Sequence, residues 1–127
     1  MQRIDRVNEA AAPEKSAALL EAVRKKMGGV PNILATMAQS PAALGGYLAF
    51  AEALSDGNFN ARQREQIALA VAGANACDYC ASAHSTLAGM HGVAKDEVMR
   101  NLRGGSACPR TEAALTFTRQ VLATRGN

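Results

Sequence analysis

Four side chains that can move protons or electrons lie within twenty residues near the middle of the chain. Cys77 and Cys80 supply two thiols three positions apart, and His84 follows with an imidazole four positions later. Glu65 precedes Cys77 by twelve residues and supplies a carboxylate. Residues three, four and seven apart share one face of a helix, so the thiols and the imidazole line up if Cys77 stands at a helix start. The spacing therefore predicts a single site.

The two thiols have the separation of dithiols that open and close a disulfide during turnover. A thiol at a helix N-terminus meets the positive end of the helix dipole and free backbone N–H groups, and both favour the thiolate. We expect Cys80 to attack the substrate because His84 lies one turn after it, which leaves Cys77 to resolve the intermediate. If the two helices fold back on each other, Glu65 reaches His84 or a thiol, and carboxylate and imidazole form a proton relay.

Two other interpretations use the same residues. Cysteines on an alanine-rich helix can be small buried hydrophobic residues with no reactivity. Two thiolates, an imidazole and a carboxylate could also complete a tetrahedral zinc site. Zinc sites commonly bring their second ligand pair from a distant segment, whereas Cys80 and His84 share one continuous turn, so we expect neither a metal nor another cofactor. A non-enzymatic helical assembly module with a structural or zinc-binding cysteine pair remains the alternative.

The elements that position these residues are predicted to be α-helices. Alanine and leucine dominate the apolar residues, Trp is absent, and Tyr and Phe together number five. Alanine is the best helix former, while strands prefer β-branched and aromatic residues, so we expect an all-α fold of about six or seven helices. Capping and stop signals place these helices at 13–27, 33–39, 41–54, 61–76, 78–90, 96–102 and 109–124.

Two packing expectations follow from the helix pattern. The fourth helix is expected to bury the stripe Ile67, Ala70, Val71 and Ala74, with Glu65 near Leu69 on the helical wheel. The pair of glycines at 45–46 inside the third helix lowers helix propensity, which predicts the close approach of another helix there.

Charge and hydropathy exclude several classes of protein. The net charge of +3 arises in residues 61–127, where the basic residues form no run and no recognisable module, so we expect no nucleic-acid partner. No apolar stretch approaches the roughly 20 residues that cross a bilayer, and residues 1–10 lack the apolar region of a signal peptide, so we expect no membrane partner and a cytoplasmic protein. We expect residues 1–127 to form a single domain. Because the chain stops directly after a helical stretch, that domain is consistent with one lacking its C-terminal helices.

The site pattern resembles the active-site signature of the alkylhydroperoxidase D-like members of the carboxymuconolactone decarboxylase family. That pattern is Glu65, then Cys77-Asp78-Tyr79-Cys80, then His84. Residues 29–34, 40–42 and 88–93 are also similar to this family, and the resemblance covers about residues 25–105.

The resemblance implies an all-helical domain that assembles as a homo-oligomer, a trimer or a hexamer. It also implies a peroxidase with a hydroperoxide substrate, Cys80 as the peroxidatic thiol, Cys77 as the resolving thiol, and Glu65 with His84 as the relay. The reductant implied is a thiol or a lipoyl-type partner. The family's best-known peroxidases have a second histidine where this chain has Tyr79, which makes Tyr79 a further candidate site residue. The decarboxylase branch lacks the cysteine pair, and Cys108 gains no role.

Overall fold

The computed structural model describes residues 3–127, and over these residues the chain is helical, with no strand. A short 3₁₀ helix, Glu9–Ala11, precedes seven α-helices. These are α1 Glu14–Met27, α2 Asn32–Met37, α3 Pro41–Ser55, α4 Ala61–Ala74, α5 Asp78–Met90, α6 Lys95–Leu102 and α7 Pro109–Thr124. The predicted all-α class with six or seven helices is confirmed. None of these helices is both long and apolar enough to cross a lipid bilayer.

Short-range capping interactions set several of the helix ends. The Ser40 hydroxyl accepts a hydrogen bond from the first turn of α3, which begins with Pro41. At the start of α4, Asn60 and Gln63 form a reciprocal capping box, each side chain accepting from the other residue's backbone N–H. Gly28 ends α1 in the left-handed conformation, with φ 76°. These ends lie where the local sequence predicts them.

The helices form two compact units, one ending at Asp56 and the other beginning at Gly57. In the first unit, α3 packs against α1 and α2. The Ser16 hydroxyl is fully buried there and donates to the Ala38 carbonyl oxygen at 2.7 Å. The buried apolar core of this unit consists of Leu20, Val23, Leu34, Ala38 and Leu44. The prediction of one domain over residues 1–127 stays a prediction, and its residues 1 and 2 lie outside the described residues.

In the second unit, α4 is central and packs against α5, α6 and α7. Its core contains Leu69, Ala88, Val93 and Val98, with Leu102 packed against them. The predicted stripe on α4 is wrong in part: of its four residues only Ala70 is buried, and Ala74 is exposed. Because α5, α6 and α7 all pack against α4, the buried residues of α4 are not confined to one stripe along the helix. The residues that α4 buries are Gln66, Leu69, Ala70 and Ala72.

The closest backbone approach at a glycine occurs at Gly73 of α4. A Cβ at this position would lie 1.8 Å from the carbonyl oxygen of Leu102 at the end of α6. By contrast, a Cβ at Gly45 would make only an ordinary contact, 3.7 Å from Leu19 Cδ1, and one at Gly46 would meet open space. The close approach predicted at Gly45 and Gly46 is therefore wrong. Instead, the contact between α4 and the end of α6 leaves room only for a glycine at position 73.

Candidate active site

The junction between α4 and α5 determines where the first cysteine lies. After Asn75, Ala76 adopts the left-handed conformation with φ 48°. The Ala76 N–H donates to the Gly73 carbonyl oxygen at 3.1 Å, and the Cys77 N–H donates to the Ala72 carbonyl oxygen at 3.0 Å. This pair of bonds is a Schellman motif, which usually has glycine at the left-handed position. The motif ends α4 and makes the next residue, Cys77, the N-cap of α5.

The two cysteines lie at the N-terminus of α5, where the sequence predicts them. Cys77 is the N-cap, and its sulfur accepts a hydrogen bond from the Cys80 N–H at 3.3 Å. Cys77 and Cys80 are joined by a disulfide, with their Cα atoms 5.3 Å apart, inside the range that a disulfide spans without backbone movement. Both residues are half-buried, so the disulfide lies close to the protein surface.

The carboxylate and the imidazole meet across α4 and α5. Glu65 Oε2 lies 2.8 Å from His84 Nδ1. A carboxylate can only accept, so Nδ1–H donates the hydrogen bond to Glu65, and in the neutral tautomer of the ring Nε2 is then an acceptor. The Glu65 side chain is 18% exposed and that of His84 34%. Of the two partners considered for Glu65, a thiol or His84, the structure brings His84 to it.

Tyr79 lies in the first turn of α5, between the two cysteines. It is 47% exposed. Among residues 3–127 its hydroxyl has no hydrogen-bond partner. The structure thus places Tyr79 beside Cys77 and Cys80 without joining it to the bond between Glu65 and His84.

The described residues contain no group of three or more His, Cys, Asp or Glu side chains arranged to hold a metal ion. The third cysteine, Cys108, is free and exposed at the N-cap of α7. The backbone N–H and the hydroxyl of Thr111, together with the Arg110 N–H, lower the pKa of the Cys108 thiol. Cys108 therefore has the electrostatic surroundings of a helix N-terminus but lies outside the cluster of Glu65, Cys77, Cys80 and His84.

The left-handed Ala76 is the site feature that the sequence does not predict. Alanine rarely adopts this conformation, and although the small and polar residues Gly73 and Asn75 indicate a brief break before Cys77, the expected helix continued through residue 76. The available signal is indirect: an N-cap at Cys77 requires the preceding helix to end within a very few residues.

Comparison with known proteins identifies the family and agrees with the fold. The family description "Carboxymuconolactone decarboxylase family" matches residues 41–122. Among solved structures, the alkylhydroperoxidase AhpD core from Rhodospirillum rubrum matches with a TM-score of 0.70 and 24% sequence identity, covering 98% of this chain and 92% of that one. At that identity the likeness supports the fold alone. No curated protein matches the sequence. Since the family match includes all four site residues and most of the chain, the protein belongs to the carboxymuconolactone decarboxylase family.

Proposed function

We propose that this protein is a thiol-dependent peroxidase that reduces hydroperoxides through a Cys77–Cys80 dithiol–disulfide cycle. The observation that carries the proposal is the combination of a disulfide at the N-terminus of α5 with the hydrogen bond between Glu65 and His84. The first supplies a reversible two-electron couple, and the second supplies an oriented base on the same helix. Membership of the carboxymuconolactone decarboxylase family supports the proposal, and the likeness to an alkylhydroperoxidase core supports the fold that it requires.

The cycle starts from the reduced dithiol. His84 Nε2 takes the proton of the Cys80 thiol, and the thiolate attacks one oxygen of the hydroperoxide group. The O–O bond breaks, Cys80 becomes a sulfenic acid, and the departing alkoxide takes the proton from His84 to leave as an alcohol. Cys80 has lost two electrons and the peroxide has gained two. Glu65 accepts from Nδ1 throughout and stabilises the imidazolium while it exists.

The second half-reaction closes the disulfide. The Cys77 thiolate attacks the Cys80 sulfur, the S–O bond breaks, and the hydroxyl takes a proton and leaves as water. The N-cap position of Cys77 favours its thiolate, because the Cys80 N–H donates to its sulfur and the positive end of the α5 dipole lies there. The Cα separation of 5.3 Å in the disulfide lies within the usual range for such a bond.

An external reductant must then return two electrons to the disulfide. We propose a thiol or a lipoyl-type dithiol, which attacks one sulfur and forms a mixed disulfide while the other cysteine leaves as a thiolate. A second thiol group, from the same dithiol or from a second thiol molecule, then attacks the mixed disulfide, so that the reductant leaves as a disulfide and both cysteines are reduced. The half-buried cysteines leave room for such an attack. The exposed ring of Tyr79, between the two sulfurs in sequence, is positioned to contact whatever approaches them, and we propose it as a contact for substrate or reductant.

Self-association belongs to the same proposal. We propose a trimer or a hexamer, supported by the family resemblance and by apolar residues exposed on α3. Tyr47, Phe50 and Leu54 follow one another at helical spacing and are 44%, 65% and 55% exposed. Light scattering coupled to size-exclusion chromatography measures the assembly directly, and a monomer at micromolar concentration would remove this part of the proposal.

Thiol titration in denaturant tests the peroxidase. The fully reduced chain has three titratable thiols. One equivalent of tert-butyl hydroperoxide should leave one, and dithiothreitol should restore all three. The Cys108→Ser variant is the matched control, and its thiols should fall from two to none. Thiol counts that hydroperoxide leaves unchanged, or one zinc per chain in metal analysis, would favour the non-enzymatic module instead.

A further inference from the structure

The second unit contains an open cavity of about 270 Å³ that is separate from the four proposed peroxidase residues. It lies between the end of α6, the loop that follows, and α7. Three of its lining residues are arginines and one is a glutamate. The lining consists of Arg100, Arg103, Gly105, Ser106, Glu112 and Arg119.

The carboxylate on the lining already has donors. Glu112 Oε2 accepts from the Ser106 backbone N–H, and Oε1 accepts from the Thr116 hydroxyl at 3.3 Å. Arg119 Nη2 lies 3.6 Å from the same Oε1. Because neutral groups already donate hydrogen bonds to Glu112, its carboxylate does not pair with all of the guanidinium N–H donors around it.

A second carboxylate, Glu97, is buried and faces the loop. It accepts from the Ser106 hydroxyl and from the Ala107 N–H, and Arg100 Nε lies 4.0 Å from its Oε2. Glu97 therefore offsets part of the charge of Arg100 but is not a lining residue. Three positive charges and one negative charge face the cavity itself.

Neighbouring groups hold Arg119 in place. Its stem packs against Gly104, where a Cβ would lie 2.5 Å from Arg119 Cδ, and the positive φ of Gly104, 78°, also favours glycine. Its Nη2 donates to the Thr116 hydroxyl at 3.0 Å. The guanidinium group is thus oriented before any ligand arrives, which reduces the entropy that binding must remove.

Of the three arginines on the lining, Arg103 is the one whose side chain has no partner among residues 3–127. It is the C-cap of α6 and is exposed, and although its backbone N–H donates to the Arg100 carbonyl oxygen, its side chain makes no hydrogen bond or ion pair with any residue from 3 to 127. A guanidinium group offers five N–H donors in a planar fork that matches two oxygens of a carboxylate or phosphate. Arg103 lies on the lining next to two arginines that each have a carboxylate nearby. Its own guanidinium N–H donors are unpaired among residues 3–127 and face the cavity.

We propose that this cavity binds a small doubly charged oxyanion, a phosphate group or a dicarboxylate. The excess of two positive charges on the lining favours a dianion over a monocarboxylate, and arginine is the side chain best suited to bidentate oxyanion binding. The volume accommodates a free anion or the charged end of a larger ligand. Arg103 supplies the unpaired donors, and Arg119 supplies a donor group in a fixed position.

Amide chemical shifts of the full chain, followed during titration with inorganic phosphate at constant ionic strength, test the site. We expect saturable shifts at Gly105, Ser106 and their neighbours. Succinate should produce the same pattern, while acetate at equal concentration should not. Saturation by phosphate alone would assign the site to phosphate groups, whereas saturation by both anions would assign it to dianions in general. Shifts that do not saturate with either anion would overturn the proposal.

Two variants and a matched control separate the site from general charge effects. Losing a charge-assisted hydrogen bond should weaken phosphate binding about tenfold in Arg103→Gln, and Arg119→Gln should do the same. Arg110→Gln removes an equal charge from an exposed position on α7 outside the lining, and should leave affinity within about twofold. Circular dichroism checks that each variant is folded. Equal losses in Arg103→Gln and Arg110→Gln would refute a defined site.

Discussion

Glu65 Oε2 and His84 Nδ1 are 2.8 Å apart, although nineteen positions separate the two residues in the chain. This hydrogen bond joins the middle of α5 to the first turns of α4, and the two helices pack directly against each other. Glu65 lies one turn before Leu69, which is fully buried, so its carboxylate is held toward the inside of the unit. The hydrogen bond makes Nδ1 the donor nitrogen of the imidazole, which leaves Nε2 as the acceptor in the neutral ring.

The first prediction concerns this hydrogen bond. Glu65→Gln keeps the size of the side chain and an acceptor atom but removes the charge that stabilises a protonated His84. If Glu65 orients the base, the rate of thiol oxidation by hydroperoxide should fall about 100-fold, within the usual contribution of general acid–base catalysis. Stopped-flow measurement of a single turnover with the reduced chain gives this rate directly.

The double variant distinguishes a relay from a structural role. Two residues that act as one unit are not additive, so Glu65→Gln combined with His84→Gln should be no slower than His84→Gln alone. Additive losses in rate would show that Glu65 acts independently of His84. Equal rates in Glu65→Gln and the unchanged chain would remove Glu65 from the mechanism.

The second prediction assigns the two thiols. Cys80→Ser should abolish hydroperoxide reduction because the attacking sulfur is gone. Cys77→Ser should instead react once and stop at a sulfenic acid, since no resolving thiol is present. Mass spectrometry should detect one added oxygen on the Cys77→Ser chain. Cys108→Ser should turn over normally. If the Cys80→Ser chain gained one oxygen at Cys77, Cys77 would be the attacking thiol and Cys80 the resolving one.

Features whose cause lies within a few residues were predicted from the sequence. Pro41 after Ser40, and Asn60 with Gln63, start α3 and α4 because each cap needs only its own first turn. The N-terminal position of Cys77 on α5 follows from similar short-range signals. Short-range signals in the sequence were therefore enough to predict the helix pattern and the spacing of the site residues along it.

Features that depend on packing between helices were not predictable in the same way. A glycine in a helix has the same propensity cost whether or not another backbone touches it, so Gly46 and Gly73 cannot be told apart without the fold. Glu65 could have met a thiol or His84, and the relative placement of the two helices decides between them.

The third prediction concerns pH and Glu97. Burial raises the pKa of Glu97, but hydrogen bonds from the Ser106 hydroxyl, the Ala107 N–H and the Asn101 amide outweigh it, and the net pKa lies below its ordinary value. A lowered pKa in the folded state adds stability above the unfolded pKa, about 4.3, and this stability disappears as pH falls through the folded value.

Glu97→Gln should therefore lower the free energy of unfolding by about 2 kcal/mol at pH 7, because charged hydrogen bonds become neutral ones. The difference from the unchanged chain should shrink steadily below about pH 4. Urea titrations at pH 7 and pH 3.5 measure both values. Asp96→Asn, an exposed neighbour on α6, should change stability far less. A difference for Glu97→Gln that is constant with pH would contradict the assignment.

The fourth prediction tests the contact between α4 and α6. In Gly73→Ala the new Cβ would overlap the Leu102 carbonyl oxygen, a backbone atom that cannot rotate away. We expect a loss of about 3 kcal/mol in the free energy of unfolding, at the upper end for overpacking. Gly89→Ala in α5 is the control, since its Cβ would meet nothing within 4 Å, and it should gain about 0.5 kcal/mol from helix propensity. Similar effects of both changes would show that α6 does not press on Gly73.

The fifth prediction concerns the strained residue in front of the dithiol. Ala76 holds a left-handed conformation, with φ 48°, that costs an L-residue about 1–2 kcal/mol. Ala76→Gly removes that cost, and the added freedom of glycine in the unfolded chain offsets part of the gain, so stability should rise by about 0.5–1 kcal/mol.

The same change two residues earlier is the control for Ala76→Gly. Ala74 is exposed and right-handed in the last turn of α4, so Ala74→Gly should lower stability by about 0.5–1 kcal/mol. Chemical denaturation of the two variants should thus give opposite signs for one chemical substitution. Destabilisation in both would mean that residue 76 is not left-handed. Opposite signs would support the Schellman turn that makes Cys77, rather than a neighbour, the N-cap of α5.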